Sequence, residues 1–264
     1  MVKKAVVFDN SGTLIRRYKI LKDLKENKLR KDLNSMDLID NFDAGALMIL
    51  QFNTSCLNKL NPNIKLYDLI KKHNINFDIS YSNCEVTDEE VLQLLSENNV
   101  KISDITDGFD SLKKEIPNME ICNGTALILD ISNNKVAYII TTAGKFFPQT
   151  LETINTLKNH GIEIFIASGD RAGAIKKLTE IFNIDESHGF HTADTKGKGE
   201  IVKKLQNKGF EVIMVGDAPN DVIAFDNADI SILTIQQSKK IHPKLEGHFD
   251  YCIDDISMIL DIIL

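Results

Sequence analysis

Four largely apolar runs constrain the fold of this chain more than any other feature of its sequence. The first spans residues 4–8, and the others lie in the C-terminal half at residues 162–167, 212–215 and 229–233. Runs that are continuously apolar rather than alternating are typical of strands buried on both faces of a parallel sheet. Stretches with a helical spacing of Leu and Ile separate the later runs. The pattern predicts an α/β fold with a doubly wound parallel sheet.

The long interval after the first run is the second organising feature. The first strand ends near Phe8, whereas the next strand-and-helix unit begins near Phe147. A parallel crossover needs only about a dozen residues, so we expect a separate domain to occupy the interval. We predict a catalytic core of residues 1–15 and 143–264, and an inserted α+β cap domain of residues 16–142.

The interval contains helix and strand signals of its own. Residues 16–31 mix Lys and Arg with Leu, which predicts an amphipathic helix with a solvated face. Thr87 followed by Glu90 has the pattern of a helix capping box. Two β-rich runs, 126–131 and 136–140, flank a Ser-Asn-Asn turn and predict a hairpin.

Charge and composition exclude several classes of protein. The 264 residues carry 31 basic and 38 acidic side chains, a net charge of −7, so there is no basic excess to bind nucleic acid or an anionic membrane. No apolar run approaches the roughly 18 residues of a membrane span, and the N-terminus lacks a signal-peptide pattern. The cysteines are scattered without a Cys-x-x-Cys pair, which indicates reduced thiols, at Cys56, Cys84, Cys122 and Cys252. We therefore expect a cytoplasmic protein.

A polar side chain directly follows each of three predicted strands. Asp9 follows the first, Ser168 the second and Asp217 the third. The carboxyl ends of parallel strands meet at one edge of the sheet, where open α/β sheets bind their ligands. Carboxylate oxygens suit Mg²⁺, and backbone N–H groups of glycine-containing turns suit phosphate; such turns occur at Gly12, Gly169 and Gly216. The sequence thus predicts a site for a phosphate group and a hard cation.

In these motifs the sequence resembles the haloacid dehalogenase superfamily of phosphohydrolases. The first motif of that family matches residues 9–14, Asp-Asn-Ser-Gly-Thr-Leu, and the second matches Ser168. The last motif matches residues 216–221, Gly-Asp-Ala-Pro-Asn-Asp. The resemblance covers residues 3–14 and about 143–235, and it implies a Rossmann-like core.

Within that superfamily the sequence is most similar to the phosphorylation domain of P-type ATPases and to soluble archaeal relatives of that domain. Their third motif is a lysine placed before an Ile-Val-Lys-Lys-Leu type of helix. Lys198 has this spacing, and Lys196 is the alternative. The insertion lacks the Lys-Gly-Ala nucleotide signature of P-type ATPases.

The resemblance implies a role for each of these residues. Asp9 is the expected nucleophile, on which an aspartyl-phosphate would form. The expected catalytic residues are Asp9, Ser11, Thr13, Ser168 and Lys198. The expected phosphate-binding groups are Ser11, Gly12, Thr13, Ser168, Gly169, Lys198 and Asn220. The expected ligands of a Mg²⁺ cofactor are Asp9, the Ser11 backbone carbonyl, Asp217 and Asp221.

Ser11 departs from the pattern of most phosphatases in this superfamily, which carry a second aspartate there as general acid and base. A serine hydroxyl cannot replace it, and such assistance is worth about 10²–10⁴ in rate. P-type ATPases have threonine at this position. The sequence predicts a slow Mg²⁺-dependent phosphohydrolase acting on a small phosphorylated substrate, for which a nucleotide is one candidate. Two alternatives stay open: a soluble P-type-ATPase-like ATP hydrolase, and a binding module of this fold with little activity.

Overall fold

A computed structural model of the protein describes residues 3–31, 33–116 and 121–264. Within this part of the chain the strands are, in order, β1 (Lys3–Phe8), β2 (Ile15–Asp23), β3 (Lys28–Arg30), β4 (Gly45–Leu50), β5 (Phe77–Ser82), β6 (Ile121–Asp130), β7 (Lys135–Phe146), β8 (Glu163–Ala167), β9 (Gly189–Phe190), β10 (Phe210–Gly216), β11 (Ile230–Thr234) and β12 (Tyr251–Ile253). The α-helices are α1 (Ser35–Asp40), α2 (Leu66–His73), α3 (Asp88–Glu97), α4 (Ile102–Glu115), α5 (Thr150–Asn159), α6 (Ala172–Phe182), α7 (Thr195–Gln206), α8 (Val222–Asn227) and α9 (Ile259–Ile263).

The chain divides into two compact units. The core unit contains Met1–Arg17 and Gly144–Leu264, and the inserted unit contains Tyr18–Ala143. A parallel sheet forms the core unit, and antiparallel strand pairs with helices form the inserted unit, which confirms the predicted fold class. β2 and β7 carry the chain out of the core unit and back into it. Beside these strands, the Phe147 N–H donates to the Leu14 carbonyl at 3.2 Å.

The core sheet has the strand order β12-β11-β10-β1-β8-β9, and its neighbouring strands run parallel. The apolar side chains of β1 are fully buried, at Ala5, Val6, Val7 and Phe8. Burial on both faces explains why the sequence of this strand is continuously apolar. Later strands add to β8 on one side and to β10 on the other, so the chain order reverses at β1. Ligands of open α/β sheets bind at such a reversal, beyond the carboxyl ends of the strands.

The inserted unit is built on a sheet of order β3-β2-β7-β6-β4-β5. One face of this sheet, with Met48 and Leu127, packs against α2, α3 and α4. The opposite face, with Leu47 and Ile128, packs against Ile39 of α1. Alternate side chains of β4 and β6 therefore enter different clusters, as the period of a strand requires. The unit has a hydrophobic core of its own.

A buried ion-pair cluster joins β2 to α4 in the inserted unit. Lys22 is only 5% exposed, and its Nζ donates to Asp104 at 2.8 Å and to Asp107 at 2.5 Å. Burial by itself would lower the pKa of the Lys22 ammonium, but its hydrogen bonds to the two carboxylates outweigh burial and raise the pKa. Lys22 is therefore charged at neutral pH although it is buried.

The predicted helix over residues 16–31 is wrong, because this stretch forms β2 and β3, which pair as an antiparallel hairpin. Ile20 and Leu21 are adjacent in sequence but belong to separate apolar clusters. Neighbouring side chains on opposite faces require a strand rather than a helix. Asn27 has a φ of 50°, the left-handed conformation typical of hairpin turns. The basic residues that suggested a solvated helix face include the buried Lys22.

Two local predictions in the inserted unit are confirmed. α3 begins with a capping box, in which Thr87 Oγ1 accepts from the Glu90 N–H at 3.3 Å and the Thr87 N–H donates to the Glu90 carboxylate at 2.8 Å. β6 and β7 are neighbouring strands on either side of the predicted turn, which closes through a 3.1 Å bond from the Asn134 N–H to the Ile131 carbonyl.

Cysteine and membrane predictions concern the chain as a whole. Cys56, Cys84 and Cys252 are free thiols, and the side chain of Cys122 lies outside the described residues. In the three described ranges, no helix has the length and apolar character needed to cross a bilayer.

Candidate active site

Asp9, Ser168 and Asp217 lie at the carboxyl ends of neighbouring strands. β1 lies between β8 and β10, and its last residue pairs with the penultimate residue of each. The Asp9 N–H extends this ladder by donating to the Val215 carbonyl at 2.8 Å. Asp9 and Ser168 are buried, at 4% and 2% exposed. The structure thus brings these side chains to one edge of the core sheet.

The loop that follows β1 winds around one carbonyl group. The Asn10 carbonyl accepts from the N–H groups of Leu14 at 2.9 Å and Ile15 at 3.0 Å. Gly12 has a φ of +91°, which glycine adopts without strain. A Cβ at this position would overlap the carboxylate of Asp217. Both backbone conformation and space therefore require glycine here.

Two hydroxyl groups of this loop are buried without a hydrogen-bond partner. Among the described residues, none offers a partner to Ser11 Oγ or to Thr13 Oγ1. Thr13 is fully buried. Leaving a buried polar group unsatisfied costs roughly 1–3 kcal/mol, so these hydroxyls are candidates for binding a ligand. A ligand with oxygen acceptors would satisfy both hydroxyls.

Lys198 of α7 is a fully buried cation at the same edge of the sheet. Its exposed fraction is 0%, and its Nζ lies 2.5 Å from Asp9 Oδ1 and 2.6 Å from Asp221 Oδ1. Asp194 caps α7 and fixes the start of the helix. The alternative lysine, Lys196, is exposed. The geometry therefore favours Lys198 as the lysine of the site.

Three carboxylates meet at this edge, from Asp9, Asp217 and Asp221. One oxygen of each lies within 4.8 Å of the others. Asp221 Oδ2 accepts from the backbone N–H groups of Asp217 and Ala218, each at 3.1 Å, which fixes its side chain. A Cβ at Gly216 would lie 2.5 Å from the Asp221 carboxyl carbon, so this glycine makes room for the carboxylate.

Burial and charge shift the pKa values of this cluster. Burial, opposed by Lys198 and assisted by the charge of Asp221, raises the pKa of Asp9 to about 7. Burial and the charges of Asp9 and Asp221 raise the pKa of Asp217 to about 8. Burial would lower the pKa of Lys198, but the two facing carboxylates outweigh it and raise the pKa. One ammonium cannot balance three carboxylates, so the carboxyl groups of Asp9 and Asp217 keep their protons to a higher pH than isolated aspartates do.

The donor set of the acidic cluster fits a hard divalent cation. Its side-chain ligand atoms are carboxylate oxygens, which Mg²⁺ and Ca²⁺ prefer. The excess of negative charge gives a bound cation a stabilising role that Lys198 alone does not fill. The structure therefore brings together three of the four predicted Mg²⁺ ligands: Asp9, Asp217 and Asp221. The Ser11 carbonyl as a fourth ligand stays a prediction.

Asp170 and Asn10, to which the sequence motifs assign no role, organise another side of the site. Ser168 Oγ donates to Asp170 Oδ2 at 2.9 Å, and Asn10 Nδ2 donates to the same oxygen at 2.7 Å. The Asp170 N–H donates back to Ser168 Oγ at 3.1 Å, and Arg17 lies 3.5 Å from the second Asp170 oxygen. The Ser-Gly-Asp turn after the second predicted strand contains Asp170, but the family motif assigns a role only to Ser168.

The predicted phosphate-binding residues differ in their surroundings. Most of them lie in the loop after β1, at the end of β8 or against Asp9, namely Ser11, Gly12, Thr13, Ser168 and Lys198. Gly169 and Asn220 are exposed. A Cβ at Gly169 would lie 3.8 Å from the Ala193 carbonyl, which is ordinary contact, so space does not demand a glycine there. The roles of Gly169 and Asn220 stay predictions.

Comparison with known proteins decides the family of this chain. A family model for haloacid dehalogenase-like hydrolases matches residues 3–229. The chain belongs to this family. The hydrolase is therefore an enzyme, and the carboxyl edge of its core sheet is its candidate active site.

Over nearly its whole length the hydrolase is similar to the soluble P-type ATPase-like phosphatase of Methanocaldococcus jannaschii. The two sequences are 35% identical over 262 residues, which cover 99% of this chain and 93% of the relative. A shorter stretch is similar to the probable copper-importing P-type ATPase A of Enterococcus hirae, with 27% identity over 132 residues, 50% of this chain and 18% of that protein. These similarities confirm the predicted family resemblance.

A solved structure extends the comparison to the fold. The hydrolase is similar to the catalytic domain of the CPx-ATPase CopB-B, with a TM-score of 0.52 and 16% sequence identity, over 99% of this chain and 88% of that chain. At this level of identity the similarity concerns the fold alone.

Proposed function

We propose that the hydrolase is a Mg²⁺-dependent phosphatase whose nucleophile is Asp9. The observation that carries the proposal is the 2.5 Å contact between the buried Asp9 Oδ1 and Lys198 Nζ, beside the unpartnered hydroxyls of Ser11 and Thr13. These groups combine a nucleophile, a fixed positive charge and donors for phosphoryl oxygens. The name of the Methanocaldococcus jannaschii relative, a phosphatase, supports the same class of reaction.

The carboxylate of Asp9 would attack the phosphorus atom of the substrate. Lys198 holds Oδ1, which leaves Oδ2 as the attacking oxygen. The Oδ2–P bond forms while the bond from phosphorus to the leaving oxygen breaks, and the leaving group departs with that electron pair. The product is an aspartyl-phosphate, which divides one hard displacement into two. Attack of water on phosphorus then releases phosphate and restores the Asp9 carboxylate, and the proton of the water passes to phosphate or solvent.

The loop after β1 would bind the phosphoryl oxygens. Ser11 Oγ and Thr13 Oγ1 have no other partner, so each is available to donate. Ser168 Oγ already donates to Asp170, so its proton would have to turn before it could reach a phosphoryl oxygen. The ammonium of Lys198 opposes the repulsion between Asp9 and a dianionic phosphate.

The acidic cluster would hold the metal ion. Asp9, Asp217 and Asp221 offer the side-chain oxygens, and the Ser11 carbonyl is the expected fourth protein ligand. When bound there, Mg²⁺ would supply charge neutralisation between the carboxylates and the phosphate. The Asp221 carboxylate is kept in place by the backbone N–H groups of Asp217 and Ala218, in the turn that follows β10.

Ser11 limits the substrates that such a site can use. Without a carboxyl group at this position the leaving oxygen departs as an anion, so weakly basic leaving groups are favoured. Acyl phosphates and aryl phosphates belong to this class, and so does the γ-phosphoryl group of ATP. ATP hydrolysis is therefore a second candidate activity, which the similarity to P-type ATPases supports.

The test is hydrolysis of p-nitrophenyl phosphate, acetyl phosphate and ATP, each with Mg²⁺ and with EDTA. Asp9→Asn should remove nearly all turnover without lowering thermal stability, because it relieves repulsion among three clustered carboxylates and leaves Lys198 paired with Asp221. EDTA should likewise remove the turnover of the wild type. Asp226→Asn is the matched control, since Asp226 is an exposed residue of the core unit that pairs with His248. Substantial hydrolysis by Asp9→Asn would rule out the covalent mechanism.

A further inference from the structure

Gln236 is a buried glutamine just after β11 whose side chain reaches the loop that follows β1. It is only 4% exposed. Its Nε2 donates to the Thr13 carbonyl at 3.1 Å, and its Oε1 accepts from the Ile256 N–H at 2.9 Å. Both ends of the amide are therefore used, and one side chain joins the loop to the C-terminal part of the core unit.

The peptide group between Thr13 and Leu14 is held from two sides. Its N–H donates to the Asn10 carbonyl at 2.9 Å, a contact within the loop itself. Its carbonyl accepts from Gln236, which is far away in the sequence. On the next peptide group, Thr150 Oγ1 donates to the Leu14 carbonyl at 2.9 Å. Gln236 thus supplies the long-range contact that orients this carbonyl.

Loss of that contact would move the group that is expected to bind phosphate. A buried carbonyl left without a donor costs roughly 1–3 kcal/mol, so the peptide would turn toward another donor. The Thr13 side chain lies on the same residue, and its Oγ1 is buried without a partner. A rotation of the peptide therefore displaces this hydroxyl, and displacements of about 1 Å at a reacting site lower rates strongly.

The neighbouring glutamine makes a second contact of the same kind. Gln237 Oε1 accepts from the Arg17 N–H at 3.0 Å, and its Nε2 donates to the Arg17 carbonyl at 3.3 Å. The turn after β11 therefore holds the segment that follows β1 at two points, one buried and one exposed. The buried point is the one adjacent to the unpartnered hydroxyl.

We propose that Gln236 is a positioning residue for phosphoryl transfer, which acts by orienting the Thr13 carbonyl and thereby the Thr13 hydroxyl. The inference rests on the proposed phosphatase function. Gln236 touches neither Asp9 nor the acidic cluster through its side-chain amide, whose partners are Thr13 and Ile256. Its effect on the reaction is therefore exerted through the loop.

Two variants separate positioning from packing. Gln236→Met keeps the volume of the side chain and removes both hydrogen bonds. Gln236→Glu keeps an acceptor for the Ile256 N–H, but an ionised carboxylate has no proton to donate to the Thr13 carbonyl. Burial raises the pKa of a carboxyl group, so at about pH 5–6 the protonated side chain can donate again. Gln206→Met is the matched control, because Gln206 Nε2 donates to the Asn227 carbonyl at 2.8 Å at another place in the core unit.

Three measurements test the proposal: kcat/KM with p-nitrophenyl phosphate across pH, inhibition by orthovanadate, and the thermal stabilisation that orthovanadate produces. Gln236→Met should lower kcat/KM and weaken orthovanadate binding by about tenfold each, the value of one hydrogen bond. Gln206→Met should leave both unchanged. Gln236→Glu should be impaired at neutral pH and recover toward the wild type as the pH falls, a recovery that Gln236→Met should not show.

The outcomes distinguish this inference from the function on which it rests. Wild-type kcat/KM and orthovanadate binding in Gln236→Met would overturn the inference and leave the proposed function intact. Equal losses in Gln206→Met would also overturn it, since they would reflect general destabilisation. A wild type that neither hydrolyses p-nitrophenyl phosphate nor binds orthovanadate would contradict the proposed function, and the role of Gln236 would fail with it.

Discussion

Gly12 faces the carboxylate of Asp217 so closely that no side chain fits between them. This contact brings the loop after β1 against the turn after β10, which carries two members of the acidic cluster. The φ of +91° at Gly12 is a backbone conformation that residues with a Cβ adopt only with strain. The loop that we propose binds phosphate and the acidic cluster that we propose binds metal therefore both depend on one position that lacks a Cβ.

Gly12→Ala should lower both activity and metal affinity. The added methyl group must displace the Asp217 carboxylate, and the left-handed backbone adds a cost of about 1–2 kcal/mol. We expect a loss of at least about tenfold in kcat/KM with p-nitrophenyl phosphate and a smaller thermal shift on addition of Mg²⁺. Gly161→Ala is the control, because Gly161 also has a positive φ, of +75°, but an added Cβ there would meet no atom within 4 Å. Similar losses in both variants would contradict the special role of Gly12.

Lys198→Met should abolish turnover and destabilise the protein when Mg²⁺ is absent. The change leaves the buried carboxylates of Asp9 and Asp221 without their shared ammonium, and breaking a buried ion pair costs about 3–5 kcal/mol. Addition of Mg²⁺ should restore stability more than activity. Urea unfolding with and without Mg²⁺ measures the first effect, and steady-state kinetics measures the second. Lys196→Met should resemble the wild type; a reversed pattern would make Lys196 the lysine of the site.

In the metal-free protein, the stability that Asp9 and Asp217 contribute should fall as the pH rises from about 4 to about 8. The folded pKa values of Asp9, about 7, and Asp217, about 8, lie above their ordinary value of 3.8, so the folded state binds more protons than the unfolded state in this range. Each group then lowers the free energy of unfolding by up to about 1.4 kcal/mol per pH unit. The stabilising effect of Mg²⁺ should accordingly increase with pH.

The contribution of Asp217 can be isolated by comparison with a variant. Asp217→Asn should be more stable than the wild type at about pH 8 without metal, and the difference should vanish near pH 4, where the carboxyl group of the unfolded chain also approaches full protonation. Thermal melts across this range, with Asp226→Asn as the exposed control, give the pH dependence of each difference. A stability difference for Asp217→Asn that is independent of pH would contradict the raised pKa.

Ser11→Asp should raise activity on alkyl phosphates and shorten the lifetime of a phosphorylated intermediate. The new carboxyl group could protonate the leaving oxygen and later activate water, roles that the serine hydroxyl cannot fill. In the wild type, aryl and acyl phosphates should react much faster than alkyl phosphates. Rates for a series of leaving groups, and trapping of labelled Asp9-phosphate after denaturation, measure the two effects. Equal wild-type rates on alkyl and aryl phosphates, with chemistry rate-limiting, would show that another residue supplies the acid.

The sequence predicted those parts of the fold and site that depend on local patterns or on the ends of strands. The continuous apolar run of β1 identified a strand buried on both faces, and Asp9 follows at its carboxyl end. The family resemblance, whose third motif is a lysine ahead of such a helix, selected Lys198, which the structure places against Asp9. These features were readable because each is encoded within one element.

Other features depend on partners far away in the sequence, which a single chain does not reveal. Residues 16–31 look like a basic amphipathic helix until Lys22 is seen to be buried between two acidic groups of α4. The sequence around Gln236 does not indicate its role, because that role depends on a hydrogen bond to the Thr13 carbonyl, which is far away in the sequence. Asp170 lies in a turn next to Ser168, but its hydrogen bond with Asn10 joins residues far apart in the sequence and could not be predicted from the motif.

The hydrogen bond between Phe147 and Leu14 has a consequence for how such a protein can change over evolutionary time. The bond joins two backbone positions that lie side by side, one shortly before the inserted unit begins and one shortly after it ends. An insertion at this point leaves and re-enters the core unit at neighbouring positions, so it acts as a loop whose ends are held together. Each doubling of the length of such a loop adds only about 0.6 kcal/mol of closure entropy. Insertions of very different length can therefore be gained, lost or exchanged at this junction while the strand order of the core sheet stays the same.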